Sequence, residues 1–174
     1  MEIFDLYDAY RRPTGETMVR GTPTPADRYR LVVHVCIFNS KGEMLIQQRQ
    51  PFKPTWANMW DITMGGAVTA GENTQQAAHR ELMEELGLDV DFSHIAPTVS
   101  TSFRNGFDDL YILHLDPDIQ QLKLQAEEVQ AAKWAAKEEI LTMINSGCFI
   151  PYSKALIEYL FFRSSRQGNF NSDT

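Results

Sequence analysis

Cysteine is scarce in this chain: 174 residues carry only Cys36 and Cys148. A disulfide framework is therefore excluded as the organising principle, and two reduced thiols are the expectation. No apolar run approaches the roughly 18 residues of a membrane span. The start, Met1-Glu2-Ile3-Phe4-Asp5, lacks the charged-then-apolar pattern of an export signal. Basic clusters are also missing. Sixteen Lys and Arg stand against 23 Asp and Glu, a net charge of −7. That balance argues against a nucleic-acid polymer or an anionic membrane as partner. No repeat or low-complexity segment interrupts the chain. A cytoplasmic protein with one main domain follows, since this length supports a sizeable core.

Three segments are expected: an N-terminal β-hairpin extension over 1–28 packed on the domain, a domain over 29–165, and a frayed tail over 166–174. Ile3 to Tyr10 reads as a strand ending at a turn, with a return over Glu16 to Arg20. Leu31 to Phe38 is an apolar, β-branched run and reads as a buried central strand. Asn39-Ser40-Lys41-Gly42 is a hairpin turn, and Met44 to Arg49 the returning strand. Short strands over Trp60 to Thr63 and Ala67 to Val68 flank Gly65-Gly66. Strands are further expected over Ile95 to Ser102, Leu110 to Leu115 and Glu128 to Ala135. Helices are expected over Thr74 to Leu86, Lys137 to Asn145 and Tyr152 to Arg163. Asn73 or Thr74 caps the first helix and Gly87 ends it. Strands and helices in this order point to an α+β fold, an α/β/α sandwich with a mixed β-sheet between helices.

The most informative stretch is Gly66-x5-Glu72-x7-Arg80-Glu81-Leu82-x-Glu84-Glu85-x-Gly87-Leu88. On a helix, residues three and four apart share a face, so Glu81, Glu84 and Glu85 gather on one side. Ala78, Leu82 and Leu86 form the apolar stripe. The acidic face is locally unfavourable. Glu81 and Glu85 are like charges at i,i+4, and they lie toward the helix C-terminus, against the macrodipole. A bound divalent cation relieves both penalties. An acidic protein that handles phosphates needs such a cation to neutralise its site.

The pattern matches every position of the Nudix box, and the chain resembles the Nudix hydrolase family. Seven positions are fixed to one residue type, so chance agreement is about one in a hundred million per start position. The resemblance implies the sandwich fold, with a mixed sheet between helices. It implies a small-molecule diphosphate as substrate and hydrolysis of the diphosphate linkage of a nucleoside diphosphate derivative. Mg²⁺, with Mn²⁺ as substitute, is the implied cofactor, since it takes oxygen ligands. Implied metal ligands are Glu84, Glu85, the Gly65 carbonyl and Glu81, the last being a ligand or the general base. A carboxylate outside the box is the alternative base. Glu72 and Arg80 pair to lock the loop onto the helix.

The layout is most similar to the isopentenyl-diphosphate-isomerase-like branch, from Asp5-Leu6-Tyr7-Asp8 to Trp134. There a Glu-x-Glu-Val segment supplies metal ligands. Glu128 matches its second glutamate and Ala126 replaces the first, so Glu128, or Glu127, is a further candidate ligand. The isomerase needs a cysteine near 60–66, and none is present. Its histidine trio is kept only at His34, with Asp27 and Gly65 or Gly66 at the other two positions. A hydrolase is therefore expected, with the isomerase and a non-catalytic nucleotide-binding domain as rivals. Arg49, Lys53, Trp56, Trp60, Phe103 and Arg104 are candidate substrate-binding residues: the cations for phosphate, the rings for a base. Phe103 to Asp109 reads as a polar, aromatic loop at the substrate rim. The N-terminal strands offer a homodimer contact.

Overall fold

The structure is a computed structural model that describes residues 2–165. The tail expected to fray lies outside the described residues. The chain opens with β1 (Ile3–Tyr7) and β2 (Pro13–Val19), an antiparallel pair. It continues through β3 (Arg30–Phe38), β4 (Met44–Arg49), β5 (Trp60–Asp61), β6 (Met64–Ala67) and α1 (Thr74–Leu86). Then come β7 (Val99–Phe103), β8 (Gly106–His114), β9 (Val129–Ala135), α2 (Lys137–Ser146) and α3 (Lys154–Ser164).

β3 is the axis of a mixed seven-stranded sheet. Along one edge it pairs in parallel with β8, from Arg30↔Gly106 to Phe38↔His114. Its other edge is shared. β6 pairs antiparallel with Val32 to Val35, and β4 meets β3 only at Phe38↔Met44. β4 in turn pairs with β5 and β9, and β7 with β8.

The period of two along β3 sets the layers. Leu31, Val33, Val35 and Ile37 are buried with Ala77, Ala78, Leu82 and Leu86 of α1. Cys36 and Phe38 face the other way, against Ile140 and Met143 of α2 and Ile157 and Leu160 of α3. The sheet thus lies between α1 and the α2–α3 pair, the expected α/β/α sandwich. Arg30, Val32 and His34 share the second face, but there they line an open cavity instead. β3 is therefore core on one side and half site on the other.

α1 spans the expected residues. Asn73 accepts from Gln76 N at 2.9 Å, and Gln76 Oε1 accepts from Asn73 N at 2.9 Å. The two bonds satisfy donors that a helix start leaves open. Ser153 caps α3 by accepting from Leu156 N, so that helix starts at Lys154, later than Tyr152. The strand expected from Ile95 begins only at Val99. The reason is Gln75, whose Nε2 donates to the Phe92 and Ile95 carbonyls at 2.9 and 2.8 Å. These carbonyls are satisfied without a ladder. The loop expected over 103–109 is largely strand, since β8 starts at Gly106. Asp108 and Asp109 fit a central strand because each has a cationic or imidazole partner: His34 for the first, Arg11 for the second.

Candidate active site

A cavity of about 590 Å³ opens over the divided edge of β3. Glu81, Glu84, Glu85 and Arg80 of α1 border it, with Gly65 and Gly66 of β6. Gly66 is required by proximity. A Cβ there would sit 2.4 Å from the Glu81 side chain, so only glycine lets Glu81 close on the β6 backbone.

Glu85 is 4% exposed. Among the described residues its side-chain partner is Gln47 of β4, whose Nε2 donates to Oε2 at 2.9 Å. Burial, then the charges of Glu81 and Glu128, hold its carboxyl well above the ordinary carboxylate range. Burial also raises Glu81, against the pull of Arg80. Among the described residues no donor reaches the buried Gln47 Oε1, an orphan next to a buried acid.

Arg80 organises the acidic face. Its Nε and Nη2 donate to the two carboxylate oxygens of Glu72, at 2.8 and 2.9 Å. Nη2 also donates to the Ala67 carbonyl at 3.1 Å. Nη1 lies 2.9 Å from Glu81 and 3.4 Å from Glu84. One guanidinium therefore ties the loop, β6 and two acids of the box. Glu72 stands behind the cavity wall and accepts from Thr69 N and Oγ1 at 3.0 and 2.7 Å. The hydrogen bonds from Arg80 hold its carboxyl at about 2.

That depression has a sign. Glu72 stabilises the fold above its unfolded pKa of ~4.3, and the contribution is lost as pH falls from there toward the folded value. Glu72→Gln should lower the melting temperature at neutral pH. Its melting temperature should also fall less steeply than the wild type's as pH drops below ~4.3. Thermal unfolding at a series of pH values checks this, and parallel curves would remove Glu72 from the account.

The other candidates divide. Arg49, Lys53, Trp56, Phe103 and Glu128 line the same cavity. Glu128 is engaged by Lys53, whose Nζ donates to it at 2.6 Å. Arg49 Nε is buried and has no hydrogen-bond partner among the described residues. Trp56 is 49% exposed and held at φ 52°, a left-handed conformation that bulky residues rarely adopt. Trp60 and Arg104, also expected to bind substrate, are not among the residues that border the cavity. Trp60 sits on β5 against the α2–α3 core, with Lys133 Nζ 4.8 Å from its ring centre. Arg104 lies in the exposed turn between β7 and β8.

The fold adds residues that the motif did not indicate. His34 Nδ1 is 2.8 Å from Asp108. Burial pulls the imidazolium down, but Asp108 and Asp61 outweigh it and leave His34 raised. Asp61 accepts from Tyr152 Oη at 2.8 Å, and burial raises its carboxyl. Arg30 completes this wall. The alternation along β3 carried the signal for Arg30 and His34, polar residues at even positions of an apolar strand. Among the described residues no three His, Cys, Asp or Glu are gathered as a ready metal cluster. Neither cysteine borders the cavity: Cys36 is buried in the core and Cys148 is exposed.

The NUDIX domain family matches residues 28–153. The chain belongs to the Nudix family. An uncharacterised Nudix hydrolase of Listeria monocytogenes is 45% identical over 152 residues, covering 87% of this chain and 90% of its own. A Nudix hydrolase of Deinococcus radiodurans is 30% identical, over 84% of this chain and 85% of its own. A solved Deinococcus radiodurans protein superposes with a TM-score of 0.75 at 27% identity, over 95% of this chain and all of that one. An isopentenyl-diphosphate Delta-isomerase of Pectobacterium atrosepticum is 29% identical over 78% of this chain and 76% of its own. This Nudix protein is an enzyme of the pyrophosphohydrolase class.

Proposed function

We propose that the chain is a divalent-metal-dependent hydrolase that cleaves the diphosphate linkage of a nucleoside diphosphate derivative. Glu85 carries the reading. It is a buried carboxylate on the cavity wall whose side-chain partner is an amide, with no cation paired to it among the described residues. A carboxylate so placed needs a counter-charge. The orphaned Gln47 Oε1 beside it points the same way. The donor chemistry fits Mg²⁺ or Mn²⁺: the Gly65 carbonyl and the carboxylates of Glu81, Glu84 and Glu85 are hard oxygens. Arg80 holds Glu81 and Glu84 in the meantime.

When bound, the ion neutralises phosphate charge and makes water a better nucleophile. The chain's own residues do the rest. Arg49 borders the cavity and brings a guanidinium charge toward a phosphate oxygen. Trp56 offers an exposed ring face to a base. Glu81 is placed either as a metal ligand or to take the proton released as water attacks phosphorus, and burial raises its affinity for that proton. Glu128 stands beside this group, shared with Lys53. Arg80 and Glu72 fix the loop that presents Gly65 and Gly66. The isomerase reading lacks its thiol, because neither cysteine reaches the cavity.

Phosphate or nucleotide release from a panel of nucleoside diphosphates, sugar nucleotides and dinucleotides tests the proposal. Release is expected with Mg²⁺, background with EDTA, and recovery when Mg²⁺ or Mn²⁺ is restored. Turnover that ignores EDTA would sink it. So would isomerisation of isopentenyl diphosphate without hydrolysis of any diphosphate.

A further inference from the structure

Five cations border the cavity: Arg20, Arg30, Arg49, Lys53 and Arg80. Three have carboxylate partners, Glu2 for Arg20, Glu128 for Lys53 and Glu72 for Arg80. Arg49 is accounted for by the diphosphate. Arg30 is left, and its guanidinium makes no hydrogen bond or ion pair among the described residues. It is instead gripped by rings. Its central carbon lies 6.0 Å from the Phe4 ring centre and 5.6 Å from that of Phe103. Two ring faces fix a planar cation and leave its N–H edges free.

The neighbourhood is built for this placement. Phe4 is buried, whereas Phe103 is partly exposed on the cavity wall. At Gly106 a Cβ would fall 2.5 Å from Phe103 Cζ and 2.4 Å from the Arg30 carbonyl. Glycine there is what lets Phe103 fold back over Arg30. The charge is held at a cost: burial, then the nearby Arg20, lower the pKa of Arg30. The two rings offset part of that cost, and among the described residues no carboxylate offsets the rest. An anionic ligand would.

Position narrows the ligand. Val33 pairs with Gly66, the residue against Glu81. Arg30 is three residues farther along β3, about 10 Å at strand rise. If the diphosphate is held at Glu81, as the hydrolase reading has it, Arg30 faces the group that the diphosphate carries.

We propose that Arg30, clamped by Phe4 and Phe103, is a specificity-determining residue that binds a second oxyanion, a phosphate ester or a carboxylate, on the moiety attached to the diphosphate. This rests on the hydrolase reading above and deepens it. The preferred substrate is then a nucleotide diphosphate with an extra negative charge on its sugar side, not a plain one.

Two matched pairs separate the two oxyanions. NADP⁺ and NAD⁺ differ by one ribose phosphate. UDP-glucuronate and UDP-glucose differ by one carboxylate. The charged member of at least one pair should have a kcat/KM about tenfold or more above its partner, the size of one charge-assisted hydrogen bond. Arg30→Gln should erase that preference, bringing the charged member's kcat/KM down to that of its partner. Phe103→Leu, which frees the guanidinium without removing it, should weaken the preference and guards against a misfolded Arg30 variant. Calorimetric titration of the same four compounds in EDTA reads affinity without turnover, and the same ranking is expected. Equal values within both pairs, or a preference that survives Arg30→Gln, overturns the proposal. If none of the four is cleaved, the hydrolase reading fails on them, and the pairwise affinities still decide the role of Arg30.

Discussion

Glu85→Gln should lower kcat by at least about 10²- to 10³-fold, the loss typical when one charged or polar group is removed from a site that stabilises developing charge. The reason is positional. Glu85 sits where α1, β4 and the cavity meet, with Gln47 on one oxygen. An amide of the same shape keeps the packing and loses the charge. Stability should move the other way. A buried carboxylate beside Glu81 and Glu128 is unfavourable in the metal-free protein, so the amide should hold or raise the melting temperature in EDTA. Activity and stability moving in opposite directions is the mark of a functional acid. Turnover that survives in Glu85→Gln would remove it from the site.

Arg11→Ala should have the largest effect on stability away from the cavity. Arg11 lies in the turn between β1 and β2 and reaches across to Asp109 of β8. Its Nη1 donates to Asp109 Oδ1 at 2.9 Å, and Nη2 makes a shorter contact with Oδ2. Asp109 is 2% exposed and also accepts from Ser100 Oγ. Burial works to raise its carboxyl, and the bonds from Arg11 and Ser100 overcome that and lower it. Without Arg11 a carboxylate stays buried with hydroxyl donors alone. The cost is about 3 kcal/mol, near the low end for breaking a buried pair. For a chain of this size that is roughly 6–12 °C in melting temperature. Neither residue borders the cavity, so kcat should stay near the wild type. Replacing both partners by apolar residues should recover much of the loss. A melting temperature within about 1 °C of wild type for Arg11→Ala would show the contact to be idle.

The parts of the fold legible from the sequence are those fixed by local rules. α1 was readable because Asn73, Gly87 and the Ala78–Leu82–Leu86 stripe all act within a few residues. β3 was readable from its β-branched run. The acidic face followed from helical spacing alone. What escaped depends on distant partners. Asp108 and Asp109 look like loop residues until His34 and Arg11, 74 and 98 positions away, are brought beside them. Ile95 looks like strand until Gln75 takes its carbonyl. Trp60 and Arg104 flank candidate residues in sequence but project onto other surfaces, one into the α2–α3 core and one into an exposed turn. Arg30 escaped for the opposite reason. It lies one residue before the strand expected from Leu31, and its lack of an acid partner among the described residues is a property of the folded cavity.

Hydrolysis in ¹⁸O-labelled water tests the central claim most directly. A nucleoside diphosphate derivative cleaved by the wild-type enzyme with Mg²⁺ should yield one product carrying a single ¹⁸O on phosphorus, read by mass spectrometry, and Glu85→Gln should form that product only at background rate. Consumption of substrate with no label on phosphorus, or label incorporated equally fast by Glu85→Gln, would contradict water attack at a diphosphate held by this acidic face.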